Sequence, residues 1–221
     1  MIALDLNDYD HVAFDLDGVL VNSEAVIESA LRRWATEVQL SPDEVVRMSA
    51  ARRDVDLVAA VAPDLSPEHE AARIASYEIQ AMQLLLPIHG AATFYRSIPY
   101  ARRSIVTSSA RISALVRLER VGIPCPNILI AAEDVTRGKP HPQPYETLLH
   151  RLRLSPQRCL VFEDSNTGIE AAAAAGCDCI GVGPQVLDHP DTKGWIGDFR
   201  ELALLGQLRT SCSPSLKRST T

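Results

Sequence analysis

Five short apolar runs, separated by helical patterns, limit most strongly what this chain can fold into. His11–Asp15, Ser104–Thr107, Asn127–Ile130, Cys159–Glu163 and Cys179–Val182 are nearly continuous in hydrophobic residues. Strands read this way when both faces of a parallel sheet are covered. Residues 109–120, 143–153 and 167–175 carry helical spacing between them, and Gly176 stands where a helix commonly ends. Strand–helix alternation of this kind implies an α/β fold, a doubly wound parallel sheet with right-handed crossovers.

One segment breaks the rhythm. From 22 to 86 only helical patterns occur, over 24–37, 43–49, 54–61 and 67–85, punctuated by Ser41-Pro42, Pro63 and Ser66-Pro67. The segment reads as a small helical insertion between the first two core strands, placed to sit over the carboxyl edge of the sheet. The polar, Ser/Thr-rich tail over 209–221 is expected to be disordered.

Composition narrows the partners. The net charge is −6 and no dense Lys/Arg run occurs, so the electrostatic footprint of a nucleic-acid binder is missing. A small phosphorylated metabolite needs only a few placed cations and is not excluded. No run approaches the roughly eighteen apolar residues of a membrane span. Acids precede the first apolar run, with no basic segment of a secretory signal, so the cytoplasm is the default location. The five cysteines lack paired C-x-x-C spacing and read as free thiols.

The chemistry-bearing residues fall at strand ends. Asp15 and Asp17 are two apart, so on an extended chain both carboxylates face one side. Gly18 then allows a sharp turn. Thr107 and Ser108 end the second strand, Lys139 lies in Gly138-Lys139-Pro140, and Glu163-Asp164 ends the fourth. In a parallel sheet these ends open onto one edge, where such sheets bind ligands. A cluster this acidic would repel a phosphate unless a hard divalent cation screened it, which points to Mg2+.

The run Asp15-Leu16-Asp17-Gly18-Val19-Leu20-Val21-Asn22-Ser23-Glu24 resembles the first motif of the haloacid dehalogenase-like superfamily. Thr107, Lys139 in Arg137-Gly138-Lys139-Pro140-His141-Pro142, and Glu163-Asp164-Ser165-Asn166-Thr167-Gly168 resemble its second, third and fourth motifs, in order. The resemblance implies a Rossmann-like catalytic core over 1–21 and 87–208, and a helical cap over 22–86. It implies a phosphatase in which Asp15 attacks phosphorus and Asp17 protonates the leaving oxygen, then activates water. Thr107, Ser108 and Lys139 would bind the phosphate. Magnesium would be held by Asp15, the carbonyl of Asp17, Asp164 and Glu163.

Within that superfamily the chain is most similar to sugar- and polyol-phosphate phosphatases. Arg52 and Arg53 align with the cap's substrate loop and are candidate substrate contacts, although Ala50 stands where that loop commonly has glycine. The related β-phosphoglucomutases share all four motifs and carry a further basic residue after the second; Arg111 lies near that position but out of register. A phosphomutase and a non-catalytic sugar-phosphate-binding protein are the alternatives. The family is often monomeric. Gly181-Val182-Gly183 reads as a loop, and His89 and His141 as residues beside turns rather than metal ligands.

Overall fold

The computed structural model describes residues 5–50 and 52–202. Its centre is a six-stranded parallel sheet of β1 (His11–Phe14), β4 (Arg103–Val106), β5 (Ile128–Ile130), β6 (Cys159–Glu163), β7 (Asp178–Val182) and β8 (Gly194–Ile196). The spatial order is β5-β4-β1-β6-β7-β8. The chain moves outward from β1 to β4 and β5, then returns across the sheet to β6 on the other side of β1. That reversal opens a crevice at the carboxyl ends of β1, β4 and β6.

Alternate residues of each strand enter different cores, as the pleat requires. Val12 and Phe14 join Ile105, Leu160 and Phe162 on one face, while Ala13 joins Val106, Ile130 and Val161 on the other. Phe14 and Phe162 are register partners, and their rings stack with centroids 5.3 Å apart. Phe94 and Phe199 close over them. Such pairs contribute roughly 0.5–1.5 kcal/mol each beyond area burial. Here they fix the two strands that deliver Asp15 and Glu163. The sheet is flanked by α5 (Ala91–Ser97), α6 (Arg111–Arg120), α7 (Gln143–Leu152) and α8 (Asn166–Ala174), and Gly176 has φ +80° just beyond α8.

The insertion leaves and re-enters through a two-stranded antiparallel ribbon, β2 (Val21–Asn22) with β3 (Leu86–Pro87). It consists of α1 (Glu24–Glu37), α2 (Pro42–Ser49), α3 (Asp54–Val61) and α4 (Pro67–Gln80). The positions Ala30, Leu31, Trp34 and Ala35 share one face of α1 and meet Val45, Leu57, Val58 and Ile74 in a core of their own. Trp34 donates its indole N–H to Glu70 at 2.7 Å, so its polar atom is satisfied inside. Ser66 caps α4 and Pro67 occupies its first turn.

Four elements, β2, β3, α5 and β8, are absent from the sequence reading. The ribbon strands are two residues each, α5 has seven, and β8 is a three-residue strand containing glycine. All are too short for periodicity to register. The helical pattern over 67–85 divides into α4 and a 3₁₀ turn at Met82–Leu84. The tail over 209–221 lies outside the described residues. Among these, no helix is long and apolar enough to cross a membrane.

Candidate active site

Asp15 directly follows β1. Its N–H donates to the Phe162 carbonyl at 2.9 Å, which extends the ladder by one residue and fixes the carboxylate at the sheet edge. Residues 16–21 then form a tight turn, closed by Gly18 N–H to Val21 O at 2.8 Å and Leu20 N–H to Leu16 O at 2.9 Å. Gly18 has φ +79°, and a Cβ there would lie 1.8 Å from Asp164 Oδ2. The missing side chain is therefore the space into which the Asp164 carboxylate fits.

Lys139, in the loop between β5 and α7, is buried and donates to Asp15 Oδ1, Glu163 Oε1 and the Val106 carbonyl. Carboxylate oxygens of Asp15, Glu163 and Asp164 lie within 4.8 Å of one another. Burial, reinforced by Glu163, Asp164 and Asp17 and opposed by Lys139, pushes the Asp15 carboxyl well above the usual range. Asp164 is pushed up to about 8 by burial and by Glu163, against Lys139. For Lys139, burial opposes the charge, but Asp15 and Glu163 hold the ammonium above its ordinary value. Three crowded acids with one cation form a site short of positive charge.

Glu163 has no acceptor capacity to spare. Oε1 accepts from Lys139 and from the Tyr145 hydroxyl at 2.6 Å; Oε2 accepts from the Asp164 N–H at 3.2 Å and Ser165 Oγ at 3.3 Å. Gly168 packs against it so closely that a Cβ would fall 2.1 Å from its carboxyl. Ser165 also caps α8 through the Gly168 N–H at 3.1 Å.

Asp17 occupies a second polar group beside the first. Oδ1 accepts from Ser23 Oγ at 2.5 Å and Arg117 Nη1 at 2.7 Å; Oδ2 accepts from Ser109 Oγ at 2.7 Å and, at 3.4 Å, from Thr107 Oγ1. Asp15, Asp17, Thr107, Ser108, Lys139 and Asp164 all line one cavity of about 1040 Å³ between sheet edge and insertion. The insertion contributes Glu24, Glu28, Asp54, Glu78 and Arg52 to it. Burial and the adjacent Glu78 push the half-buried Asp54 carboxyl well above the carboxylate range, against Arg117.

The two candidate arginines separate. Arg52 lines the cavity. Arg53, the other candidate, is not among the residues that line it. Its Nε and Nη2 pair with Asp56 at 2.7 Å; Nη1 donates to the carbonyls of Ala132 at 3.3 Å and Val135 at 2.6 Å, and Nη2 also to Thr136 at 2.8 Å. All five guanidinium N–H groups are thus taken. Arg53 packs on Gly138 as well, so it clamps the insertion to the loop that carries Lys139. Ala50 has φ −47°, so its backbone needs no glycine.

Sequence reasoning missed Ser23, Ser109, Glu78, Tyr145 and Arg117. Ser23 and Ser109 lie beside the quoted motifs without a role read from them, while Glu78, Tyr145 and Arg117 lie on helices whose spacing carries no sign of the site, and only the packing brings them to it. His89, read as a turn residue, lines the cavity. Arg111 is turned away, pairing with Asp134 and the Leu129 carbonyl.

An open parallel sheet that gathers acids, hydroxyls and one buried lysine at its carboxyl edge, under a helical insertion, defines a strand-end α/β enzyme. The profile of the haloacid dehalogenase-like hydrolases matches residues 12–182, and the chain belongs to that family. It is 33% identical over 177 residues to hexitol phosphatase A of Escherichia coli, covering 76% of this chain and 81% of that one. It is 30% identical over 194 residues to glycerol-1-phosphate phosphohydrolase 2 of Saccharomyces cerevisiae, covering 82% and 78%. Among solved structures, CbbY from Rhodobacter sphaeroides in complex with phosphate superposes with a TM-score of 0.77 at 20% identity, covering 88% of this chain and 96% of that one. That last likeness concerns the fold.

Proposed function

We propose that this hydrolase is a magnesium-dependent phosphatase acting on a sugar or polyol monophosphate whose remaining groups are neutral. The observation that carries the reading is the pair of carboxylates, Asp15 and Asp17, lining one cavity with Lys139 bonded to the first. Asp15 attacks phosphorus, and the bond to the leaving oxygen breaks as Asp17 protonates that oxygen. Asp17 next takes a proton from the water that attacks the aspartyl phosphate, which releases inorganic phosphate and restores Asp15. Thr107, Ser108 and Lys139 bind phosphate oxygens, and Lys139 offsets charge on both nucleophile and phosphate.

The donor set suits a hard cation, being made of carboxylate oxygens in excess of positive charge. Asp15, Asp164 and the Asp17 carbonyl would hold it, while Glu163, saturated by its own partners, braces them. When bound, magnesium supplies the positive charge that lets a phosphate approach this acidic edge.

Charge on the insertion side narrows the substrate. Glu24, Glu28, Asp54 and Glu78 face the cavity there; Arg32 pairs with Glu28 and Arg117 with Glu78, and burial holds Asp54 toward its neutral form, which leaves Glu24 beside Arg52. A second phosphate or a carboxylate on the substrate would find only Arg52 to pair with among these insertion residues, whereas hydroxyl groups would find several acceptors. The names of the hexitol and glycerol-1-phosphate enzymes agree with this reading. It also disfavours a mutase, which handles a bisphosphate, as does the engagement of Arg111 with Asp134.

The test is phosphate release from hexitol, glycerol and aldose monophosphates, and from phosphoglycolate as an anionic control, in magnesium or EDTA. Magnesium-dependent release that is lost in Asp15→Asn, with phosphoglycolate the poorest substrate, is the expected result. A folded native protein that releases phosphate from none of them overturns the reading.

A further inference from the structure

Among the described residues Arg117 is the largest charged side chain that is fully buried, and it is not one of those lining the cavity. Its side chain is 0% exposed. It rises from α6 and joins two domains: Nη1 bonds Asp17 Oδ1 at 2.7 Å and Ser109 Oγ at 2.6 Å, while Nη2 pairs with Glu78 Oε1 at 2.8 Å. Asp17 and Ser109 belong to the sheet edge, and Glu78 to α4 of the insertion. Ser109 completes a triangle by donating to Asp17 Oδ2 at 2.7 Å.

A guanidinium without solvent must be compensated by carboxylates, and breaking such a pair is strongly destabilising. Arg117 therefore stays between Asp17 and Glu78: Nη1 hydrogen-bonds Asp17, and Nη2 meets Glu78 as an ion pair without an aligned hydrogen bond. The nucleophile is outside this arrangement: Asp15 is held by Lys139 and by the backbone of β6. The two carboxylates of the site thus have separate supports: an insertion carboxylate pairs directly with the guanidinium that bonds Asp17, whereas Arg53 reaches only the backbone of the loop before Lys139.

We propose that Arg117 is the positioning residue for Asp17, and that Glu78 makes this positioning depend on the docked insertion. The inference rests on the reading of Asp17 as the group that protonates the leaving oxygen. Docking of the helices sets Arg117, and Arg117 sets the carboxylate that serves the leaving group. Substrate closure and proton transfer are coupled by one buried cation.

Leaving-group dependence tests this, because an alkyl phosphate needs its leaving oxygen protonated and p-nitrophenyl phosphate does not. The ratio of kcat/KM for the best alkyl phosphate to that for p-nitrophenyl phosphate is measured for native protein, Asp17→Asn, Glu78→Gln and Arg117→Gln. Arg117→Gln is expected to lower kcat/KM more than about tenfold for the alkyl phosphate and less than about threefold for the aryl one, following Asp17→Asn in kind. Glu78→Gln is expected to shift the ratio the same way to a smaller extent. Should Arg117→Gln not fold, Arg117→Gln with Glu78→Gln removes one charge of each sign, so that Glu78 is not left as an unpaired buried charge, and carries the test. If that too fails, Ser109→Ala breaks the triangle at a half-buried position. Equal losses on both substrates, or none, overturn the proposal while Asp17→Asn remains selective. An Asp17→Asn variant without selectivity overturns the reading of Asp17 instead.

Discussion

The Tyr145 hydroxyl donates to Glu163 Oε1 at 2.6 Å, and both side chains are fully buried. Tyr145 comes from α7 and Glu163 from the end of β6, so the bond ties a helix to the strand that carries the acid pair. Burial, with the Glu163 charge beside it, pushes the phenol well above its ordinary value, so it remains a donor. Tyr145→Phe removes the donor and leaves a buried carboxylate with three partners. We expect a loss of about 1–3 kcal/mol in urea denaturation. We also expect the magnesium concentration for half-maximal rate to rise roughly tenfold, as when an outer partner that orients the ligands of a metal site is lost. An unchanged magnesium dependence would assign Tyr145 to packing alone.

The bonds of Arg53 tie the insertion to the loop before Lys139, and this clamp is open to a direct check. Arg53→Ala deletes five hydrogen bonds, three of them to carbonyls of the loop before Lys139. The loss is expected to cost about 2–3 kcal/mol. Limited proteolysis is expected to cut near 38–41 and 62–66, in the insertion, before the sheet is touched. Equal protection of native and variant protein would show that other contacts hold the insertion down.

Gly18→Ala meets two obstacles at once. Its φ of +79° suits glycine, and the new Cβ would overlap the Asp164 carboxylate at 1.8 Å. Left-handed backbone alone costs an L-residue roughly 1–2 kcal/mol. We expect activity to fall more than a hundredfold with a melting loss of only a few degrees, because Asp164 can turn aside while the core is untouched. A variant with native turnover would refute the assignment of Asp164 to the site.

The acid cluster also dictates a pH dependence. The Asp164 carboxyl, at about 8 when folded against 3.8 as the reference, binds its proton more tightly in the native state. Its contribution is fully present below the reference value and is lost as pH rises through about 8. Protein in EDTA is therefore expected to be more stable at pH 6 than at pH 8, by up to about 2 kcal/mol. Magnesium favours the ionised carboxylates and should shrink the difference. Urea midpoints at both pH values, with and without magnesium, measure it; a metal-free protein more stable at pH 8 would contradict the assignment.

The sequence by itself determined the sheet and the residues at its edge. Runs such as Cys159–Glu163 read as strands buried on both faces, which must be apolar throughout, and the first acid then marks the end of the run. Parallel topology sends those ends to one edge, so Asp15, Thr107, Lys139 and Glu163 were legible as a group without coordinates. Helices α1 and α3 were legible to the residue from their apolar spacing. Tertiary structure alone decided how each of those groups is held. Arg52 and Arg53 are neighbours of the same type, yet one lines the cavity and the other is consumed by Asp56 and three carbonyls. Arg117 lies one hundred residues from Asp17, in a helix whose own pattern calls for nothing unusual there. Local periodicity reports which face of an element is buried; it carries no information about which distant charge that face will meet.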